Sequence, residues 1–175
     1  MKKLLIATLL LASISAAPAE DFSFAFEGDA KKRERLKELQ GSEKPPALVL
    51  QNWMNSDALS LEKLKGKVVI LDFWATWCGP CIRSIPHTNK MMEKYGDKVV
   101  IIGICHPRGS DKMAATAKKH GIKYPIAMDA DEVTDKSYKV NGYPDYFIID
   151  QSGKLVVADC ANDEVEAVVD KLLKK

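Results

Sequence analysis

The sequence has little net charge. Its 26 lysine and arginine residues against 24 aspartate and glutamate residues give a formal charge of +2. The first 19 residues hold Lys2 and Lys3 but no acid, which leaves 24 basic and 24 acidic residues in the remainder. A chain so near neutrality has no general attraction to nucleic acids or anionic membranes. We therefore expect no nucleic-acid partner.

A hydrophobic run long enough to cross a bilayer is also missing near the start. The apolar stretch over residues 4–11 is shorter than the roughly 20 residues that a spanning helix needs. It follows two lysines and precedes small residues that end at Ala19, which is the pattern of a secretory signal peptide. No cysteine follows this stretch to accept a lipid. We predict a signal peptide over residues 1–19, cleaved after Ala19, and a periplasmic or secreted protein; an uncleaved signal would leave a membrane tether.

Cysteines are few, and their spacing excludes two common cofactor sites. The chain has Cys78, Cys81, Cys105 and Cys160, with no second Cys-x-x-Cys and no suitably paired histidines, so a four-ligand zinc site is not expected. Ile82 stands where covalent haem attachment requires a histidine. We expect neither metal nor cofactor. Export would place all four thiols where disulfides form and persist.

The remaining sequence predicts one α/β domain over residues 47–175, without internal repeats. Uninterrupted apolar runs at 68–71 and 99–102 are typical of strands buried on both faces. Residues 78–94 between them have helical character, broken once at Pro86.

Later segments complete this unit. Strands at 146–149 and 155–157 flank a turn sequence and predict a hairpin. Helices are predicted from Ser110 to His120, with Gly121 just past the end, and along the apolar stripe of residues 165–172; a short strand is predicted at 124–128. The predicted architecture is a mixed central β-sheet with helices on both faces.

Residues 20–46 form a polar N-terminal extension. Asp29 to Gln40 predicts a charged helix that Asp29 caps. Only Leu36 and Leu39 offer an apolar edge. We expect this extension to be partly helical and either to pack weakly or to act as a spacer.

The segment Cys78-Gly79-Pro80-Cys81 carries the chemistry. Two thiols separated by two residues can close a small disulfide ring at the start of a helix, and Pro80 suits a helix start. Unpaired N–H groups there favour the thiolate of Cys78. We predict that reduced Cys78 attacks a substrate disulfide and that Cys81 resolves the mixed disulfide. A membrane-bound or soluble thiol donor must then reset the pair; a purely structural disulfide is the alternative.

Residues 68–86 (VVILDFWATWCGPCIRSIP) closely resemble the thioredoxin superfamily. Together with the export pattern, residues 61–67 (LEKLKGK) resemble its TlpA/ResA-type branch of exported thiol–disulfide oxidoreductases. The resemblance covers roughly residues 47–175 and implies a thioredoxin-like fold, a redoxin-like domain and protein-disulfide reductase activity.

The resemblance also implies roles for residues outside the cysteine pair. Asp72 matches the buried acid that exchanges a proton with the resolving cysteine, a role that burial supports by raising the pKa of a carboxyl group. Pro144 matches the cis-proline that faces the cysteines and helps to hold an extended substrate. The predicted substrate-binding residues are Trp77, Gly79, Pro80, Tyr143 and Pro144.

Three features depart from the family pattern. Ser84 stands where many members carry glutamate, and Asp145 follows the cis-proline position where threonine is common. Cys105 and Cys160 are additional. We expect Cys105 to be a small buried side chain, with a third redox thiol or a metal ligand beside His106 as alternatives. A bridge between Cys105 and Cys160 is not expected, because the fold would separate them too far.

The function predicted first is reduction of oxidised protein thiols outside the cytoplasm, by a monomer. Glycine and proline between the cysteines match the reducing thioredoxins, with a potential of roughly −270 mV. Substrates would include apocytochrome c, which links the protein to cytochrome c biogenesis. The alternatives are a disulfide-forming oxidase near roughly −120 mV, a thiol peroxidase with antioxidant activity, and a non-catalytic peptide-binding module.

Overall fold

A single six-stranded sheet organises the protein. The computed structural model describes residues 21–174, so the predicted signal peptide lies outside the described residues. The strands lie in the order β1-β4-β3-β2-β5-β6. They are β1 (Gln51–Met54), β2 (Val68–Trp74), β3 (Val99–Cys105), β4 (Ile126–Met128), β5 (Asp145–Ile149) and β6 (Leu155–Cys160).

The centre of the sheet is β2. It pairs in parallel with β3, from Val68 opposite Val99 to Trp74 opposite Cys105, and antiparallel with β5 on its other side. β3 and β4 are parallel, whereas the outer pairs are antiparallel. The predicted mixed sheet is therefore confirmed. The short strand β4 begins later than predicted, after Pro125, which has no N–H to donate to a ladder.

Helices cover both faces of this sheet. They are α1 (Ala30–Leu36), α2 (Gly79–Tyr95), α3 (Met113–His120), α4 (Val133–Ser137) and α5 (Val165–Leu173). Alternate residues of β2 point to two separate core clusters: Ile70 packs with residues of α2, α3 and α5, and Leu71 packs with Leu36 of α1 and with Tyr138, which follows α4. Within residues 21–174, no helix is long and apolar enough to span a membrane.

The active-site helix α2 continues through Pro86. The sequence predicted a break there, but the helix runs from Gly79 to Tyr95 with Pro86 inside it. Pro86 cannot donate a hydrogen bond to the carbonyl of Ile82. The buried residues Ile85 and Met91 on either side hold the helix against the sheet.

The N-terminal extension is integrated into the fold. Asp29 caps α1 by accepting a hydrogen bond from the Lys32 amide at 2.9 Å, as predicted. The expectation of weak packing or a spacer is wrong, because Phe22 and Leu36 are buried. Phe26 forms a β-bridge with Cys160, so the segment covers the edge of β6.

Basic side chains of α1 also reach a buried acid. Asp159 is fully buried and forms ion pairs with Lys32 and Arg33. The Arg33 guanidinium donates in addition to the carbonyl oxygen of Ala158 at 2.8 Å. A buried carboxylate is costly without such partners, so these contacts fix the position of α1 on the sheet.

Candidate active site

The cysteine pair lies at the start of α2, shortly after the end of β2. Cys78 is the N-cap residue of α2, and its sulfur accepts a hydrogen bond from the Cys81 amide at 3.2 Å. The two cysteines form a disulfide with their Cα atoms 5.3 Å apart. Both side chains are buried at the helix N-terminus, where N–H groups stabilise a thiolate.

Asp72 lies on β2 beneath this helix. Its side chain is on the same face of the strand as Ile70 and Trp74, which pack in the cluster that contains both active cysteines. Oδ2 accepts a hydrogen bond from the Tyr124 hydroxyl at 3.4 Å, while the buried Oδ1 has no partner among the described residues. Burial raises the pKa of Asp72 to about 7, against a lowering by the Tyr124 hydrogen bond. The carboxyl group can therefore exchange a proton near neutral pH.

Ser84 brings no charge to the site. Its hydroxyl donates to the Cys81 carbonyl oxygen at 2.9 Å and accepts from the Tyr146 hydroxyl at 3.3 Å. Tyr146 lies opposite Asp72 in the register of β2 and β5. The hydroxyls of Ser84 and Tyr146 thus form a neutral pair that joins α2 to the sheet.

The predicted cis-proline is present. The peptide bond between Tyr143 and Pro144 is cis. Tyr143 and Pro144 line a surface depression together with Pro80 from the active-site turn and Asn162 from the loop after β6. The structure thus brings the predicted substrate-binding residues of two distant segments to one surface.

Trp77 forms a second wall of this surface. Its side chain is 48% exposed, and the edge of its ring meets Tyr143, with 5.8 Å between the centroids. The Arg108 guanidinium lies 4.3 Å from the Trp77 ring centroid. His106 completes the cluster beside Tyr143, at 5.5 Å between ring centroids.

Arg108 was not among the residues predicted from the sequence. A signal was present, because β2 and β3 are parallel neighbours and their carboxyl ends meet at one edge of the sheet. The loop that follows β3 must therefore lie beside the loop that carries Cys78. His106 entered the sequence analysis only as a metal ligand; in the structure its Nδ1 accepts a hydrogen bond from the Arg108 amide at 3.0 Å.

Tyr143 is held by Asp135, a second residue that was not predicted from the sequence. The Tyr143 hydroxyl donates to Asp135 Oδ2. Asp135 is buried in the middle of α4, and this burial raises the pKa of its carboxyl group. The residue before the cis-proline is thereby held between Asp135 and the ring of Trp77.

Cys105 and Cys160 are buried free thiols. They lie at the ends of β3 and β6, with β2 and β5 between them, so no bridge joins them. Burial raises the pKa of each thiol to about 12, which keeps both protonated and unreactive near neutral pH. Cys105 is the small buried side chain that was predicted. Among residues 21–174, no group of three potential ligands is arranged to hold a metal ion.

Comparison with known proteins decides the family. The model of the AhpC/TSA family matches residues 42–158. The chain belongs to the AhpC/TSA family. Within it, the chain is 31% identical over 178 residues to the thiol-disulfide oxidoreductase ResA of Bacillus thuringiensis (strain Al Hakam), covering 100% of this chain and 98% of the relative.

Solved structures agree with this assignment. The thioredoxin-like superfamily protein SPOA0173 matches 77% of this chain and 98% of its own, with a TM-score of 0.68 and 27% identity. The thioredoxin domain of the thiol-disulfide oxidoreductase BVU-2223 from Bacteroides vulgatus matches 75% and 96%, with a TM-score of 0.66 and 26% identity. The thioredoxin-like fold is confirmed. This AhpC/TSA family member is a thiol–disulfide oxidoreductase with a Cys78–Cys81 pair.

Proposed function

We propose that the protein reduces disulfide bonds in other proteins outside the cytoplasm. The Cys78 thiolate attacks one sulfur of the substrate disulfide, which forms a mixed disulfide and releases one substrate thiolate. The Cys81 thiol then loses its proton and displaces the second substrate thiolate. The substrate gains two electrons, and the enzyme is left with its Cys78–Cys81 disulfide. A separate thiol donor, membrane-bound or soluble, returns the two electrons.

The observation that carries this proposal is the position of Cys78. Its sulfur is the cap of α2 and accepts the Cys81 N–H. The same contact is available to a Cys78 thiolate, which makes Cys78 both an attacking group at neutral pH and a good leaving group when Cys81 resolves.

Asp72 is proposed to accept the proton of Cys81. The carboxyl group is buried on the sheet face that α2 covers, and the Cys81 side chain belongs to the cluster on that face. A carboxylate with a pKa of about 7 is half ionised near neutral pH. It can take the thiol proton in one turnover and release it in the next.

An extended substrate segment is proposed to lie over Trp77, Gly79, Pro80, Tyr143 and Pro144. These residues come from the active-site turn and the cis-proline loop, which meet beside the disulfide. The exposed Trp77 ring supplies apolar contact area at the edge of this surface.

The direction and place of the reaction rest on three supports. Glycine and proline between the cysteines match reducing thioredoxins, the N-terminal pattern indicates export, and the ResA relatives carry the name of thiol-disulfide oxidoreductases. Oxidised apocytochrome c is a proposed substrate, and the protein is proposed to act as a monomer.

The reduction potential tests the direction. We expect a value near roughly −270 mV, whereas a disulfide-forming oxidase would have about −120 mV. The difference of roughly 150 mV corresponds to about 7 kcal/mol for two electrons. Equilibration with glutathione buffers of known potential measures it, and a value above about −150 mV would contradict the reductase assignment.

Trapping tests the substrate class. A Cys81→Ser variant keeps Cys78 for attack but cannot resolve, so mixed disulfides with target proteins should accumulate outside the cytoplasm. The matched control is Cys78→Ser with Cys81→Ser, which cannot form them. Recovery of no protein above this control would refute reduction of protein disulfides.

A further inference from the structure

The strand next to Asp72 contains one residue without a side chain. Gly103 lies directly opposite Asp72 in the parallel register of β2 and β3. It interrupts the apolar sequence of β3 between Ile102 and Ile104. Its backbone does not adopt the positive φ that favours glycine. The reason for glycine at this position is therefore space.

That space is filled by neighbouring side chains. A Cβ atom added at Gly103 would lie 2.8 Å from Ile126 Cγ2, 3.1 Å from Tyr124 Cε2 and 3.1 Å from Trp74 Nε1. The 2.8 Å distance is shorter than real contacts of a Cβ atom, and at 3.1 Å the neighbouring atom must shift by a few tenths of an ångström. An alanine at this position would force the Tyr124 ring or its neighbours to move.

The Tyr124 ring lies in the space that Gly103 leaves open, and its hydroxyl contacts Asp72. Tyr124 is 1% exposed, and its hydroxyl donates to Asp72 Oδ2 at 3.4 Å. Oδ1 of Asp72 has no partner among the described residues. In that part of the chain, the Tyr124 hydroxyl is therefore the one hydrogen-bond donor to the Asp72 carboxyl group. A donor stabilises the charged form of a buried carboxylate and disfavours its protonation.

Within residues 21–174, no other side chain donates a hydrogen bond to Asp72. On β5, Tyr146 faces Asp72, but its hydroxyl donates to Ser84. On β3, the facing residue is Gly103, which carries no charge. Among the described residues, the effects on Asp72 are therefore burial, which opposes ionisation, and the Tyr124 hydroxyl, which favours it.

We propose that Tyr124 is a positioning residue for the reductase reaction. Its hydroxyl orients the Asp72 carboxylate and sets the pH at which Asp72 exchanges a proton with Cys81. The Tyr124 ring can take up this position because Gly103 has no side chain. This inference rests on the proposed function, since it assumes the proton-transfer role of Asp72. Tyr124 lies outside the cysteine turn, and its role would be to set the pH range in which the reaction proceeds.

The test is a titration of Asp72 in the oxidised protein, in which the cysteines do not ionise. The carboxyl ¹³C resonance of Asp72, assigned by its absence in Asp72→Asn, reports the midpoint. Tyr124→Phe removes one oxygen atom and keeps the ring, so it should fold. We expect its midpoint to rise by about half a unit to one unit, which is the effect of one neutral hydrogen bond on a carboxylate.

The matched control is Tyr138→Phe. Tyr138 is also buried, but it packs in the cluster on the opposite face of the sheet, and its hydroxyl donates to the Pro46 carbonyl. Its removal should leave the Asp72 midpoint unchanged. An unchanged midpoint in Tyr124→Phe, or an equal shift in both variants, would overturn the inference.

Gly103→Ala tests the steric part. We expect a lower melting temperature and, in the folded protein, an upward shift of the Asp72 midpoint like that of Tyr124→Phe. A wild-type melting temperature or a wild-type midpoint would contradict the assigned part of Gly103. Failure of the proposed proton-transfer role of Asp72 is separate: it would appear as undiminished disulfide reduction by Asp72→Asn, whereas the titration midpoints do not depend on turnover.

Discussion

The guanidinium of Arg108 lies 4.3 Å from the centroid of the Trp77 ring, and the Trp77 Nε1 donates a hydrogen bond to the Arg108 carbonyl oxygen at 2.9 Å. These two contacts join the loop after β3 to the residue that precedes Cys78. The guanidinium covers part of an indole that is otherwise half-exposed beside the disulfide. Arg108 therefore orients a proposed substrate contact without lying in the cysteine turn.

Replacement of Arg108 should weaken substrate binding more than it slows disulfide exchange. In Arg108→Ala the cation–π contact is lost, worth about 0.5–1 kcal/mol at an exposed site, while the backbone hydrogen bond can remain. We expect a fall in kcat/KM of about two- to fivefold for a protein disulfide, with an unchanged reduction potential. Lys118→Ala, at an exposed site on α3, is the control for loss of a positive charge. An equal fall in kcat/KM in both variants would contradict a specific role for Arg108.

Replacement of Asp72 should change the pH dependence of the resolving step. With a pKa of about 7, Asp72 is ionised above this pH and protonated below it. The rate at which Cys81 releases a bound substrate should therefore rise with pH through about 7. Asp72→Asn should remove this inflection and slow the step by at least about tenfold, as measured by stopped-flow with a preformed mixed disulfide. An unchanged profile would exclude Asp72 as the base.

The same residue should link stability to pH. Its pKa is about 7 in the folded protein against 3.8 for the free group, so the folded state binds more protons between these values. Stability should fall as pH rises through this window. The free energy of unfolding of Asp72→Asn relative to wild type should then increase from pH 4 to pH 8, by an amount on the order of 4 kcal/mol. Urea unfolding of both oxidised proteins measures it; a constant difference across this range would contradict the prediction.

The ion pairs between α1 and β6 should contribute strongly to stability. Lys32→Met with Arg33→Met would leave Asp159 buried without a compensating partner from α1, at a cost of about 3–5 kcal/mol. Adding Asp159→Asn should recover part of this loss. Lys31→Met, on the exposed side of α1, should have little effect in urea unfolding. A double variant as stable as this control would show that α1 is not fixed by these pairs.

The two buried cysteines should take no part in the redox cycle. We expect a thiol reagent to find two free thiols in the oxidised protein after denaturation and almost none before it, because Cys105 and Cys160 are buried with raised pKa values. Alanine at both positions should leave the reduction potential unchanged. Absence of free thiols after denaturation would mean that a second disulfide had formed.

The extension shows where sequence reasoning failed and why. Its composition is polar, and only Leu36 and Leu39 give its predicted helix an apolar edge, so the pattern indicated a weakly attached segment. The structure buries Phe22, Ala25 and Leu36. Phe22 and Ala25 belong to one short turn, and Leu36 is the last residue of α1. Local periodicity does not predict how two such short elements pack beside β6.

Local sequence determined the cysteine turn, the buried strands and the helix that starts at Cys78, because each depends on neighbours a few residues apart. Tertiary structure alone decided which side chains surround them. Tyr124 meets Asp72 across 52 positions of the chain, and Arg33 meets Asp159 across 126. Such meetings depend on strand order and register, and these are set by the packing of the whole sheet rather than by any single segment.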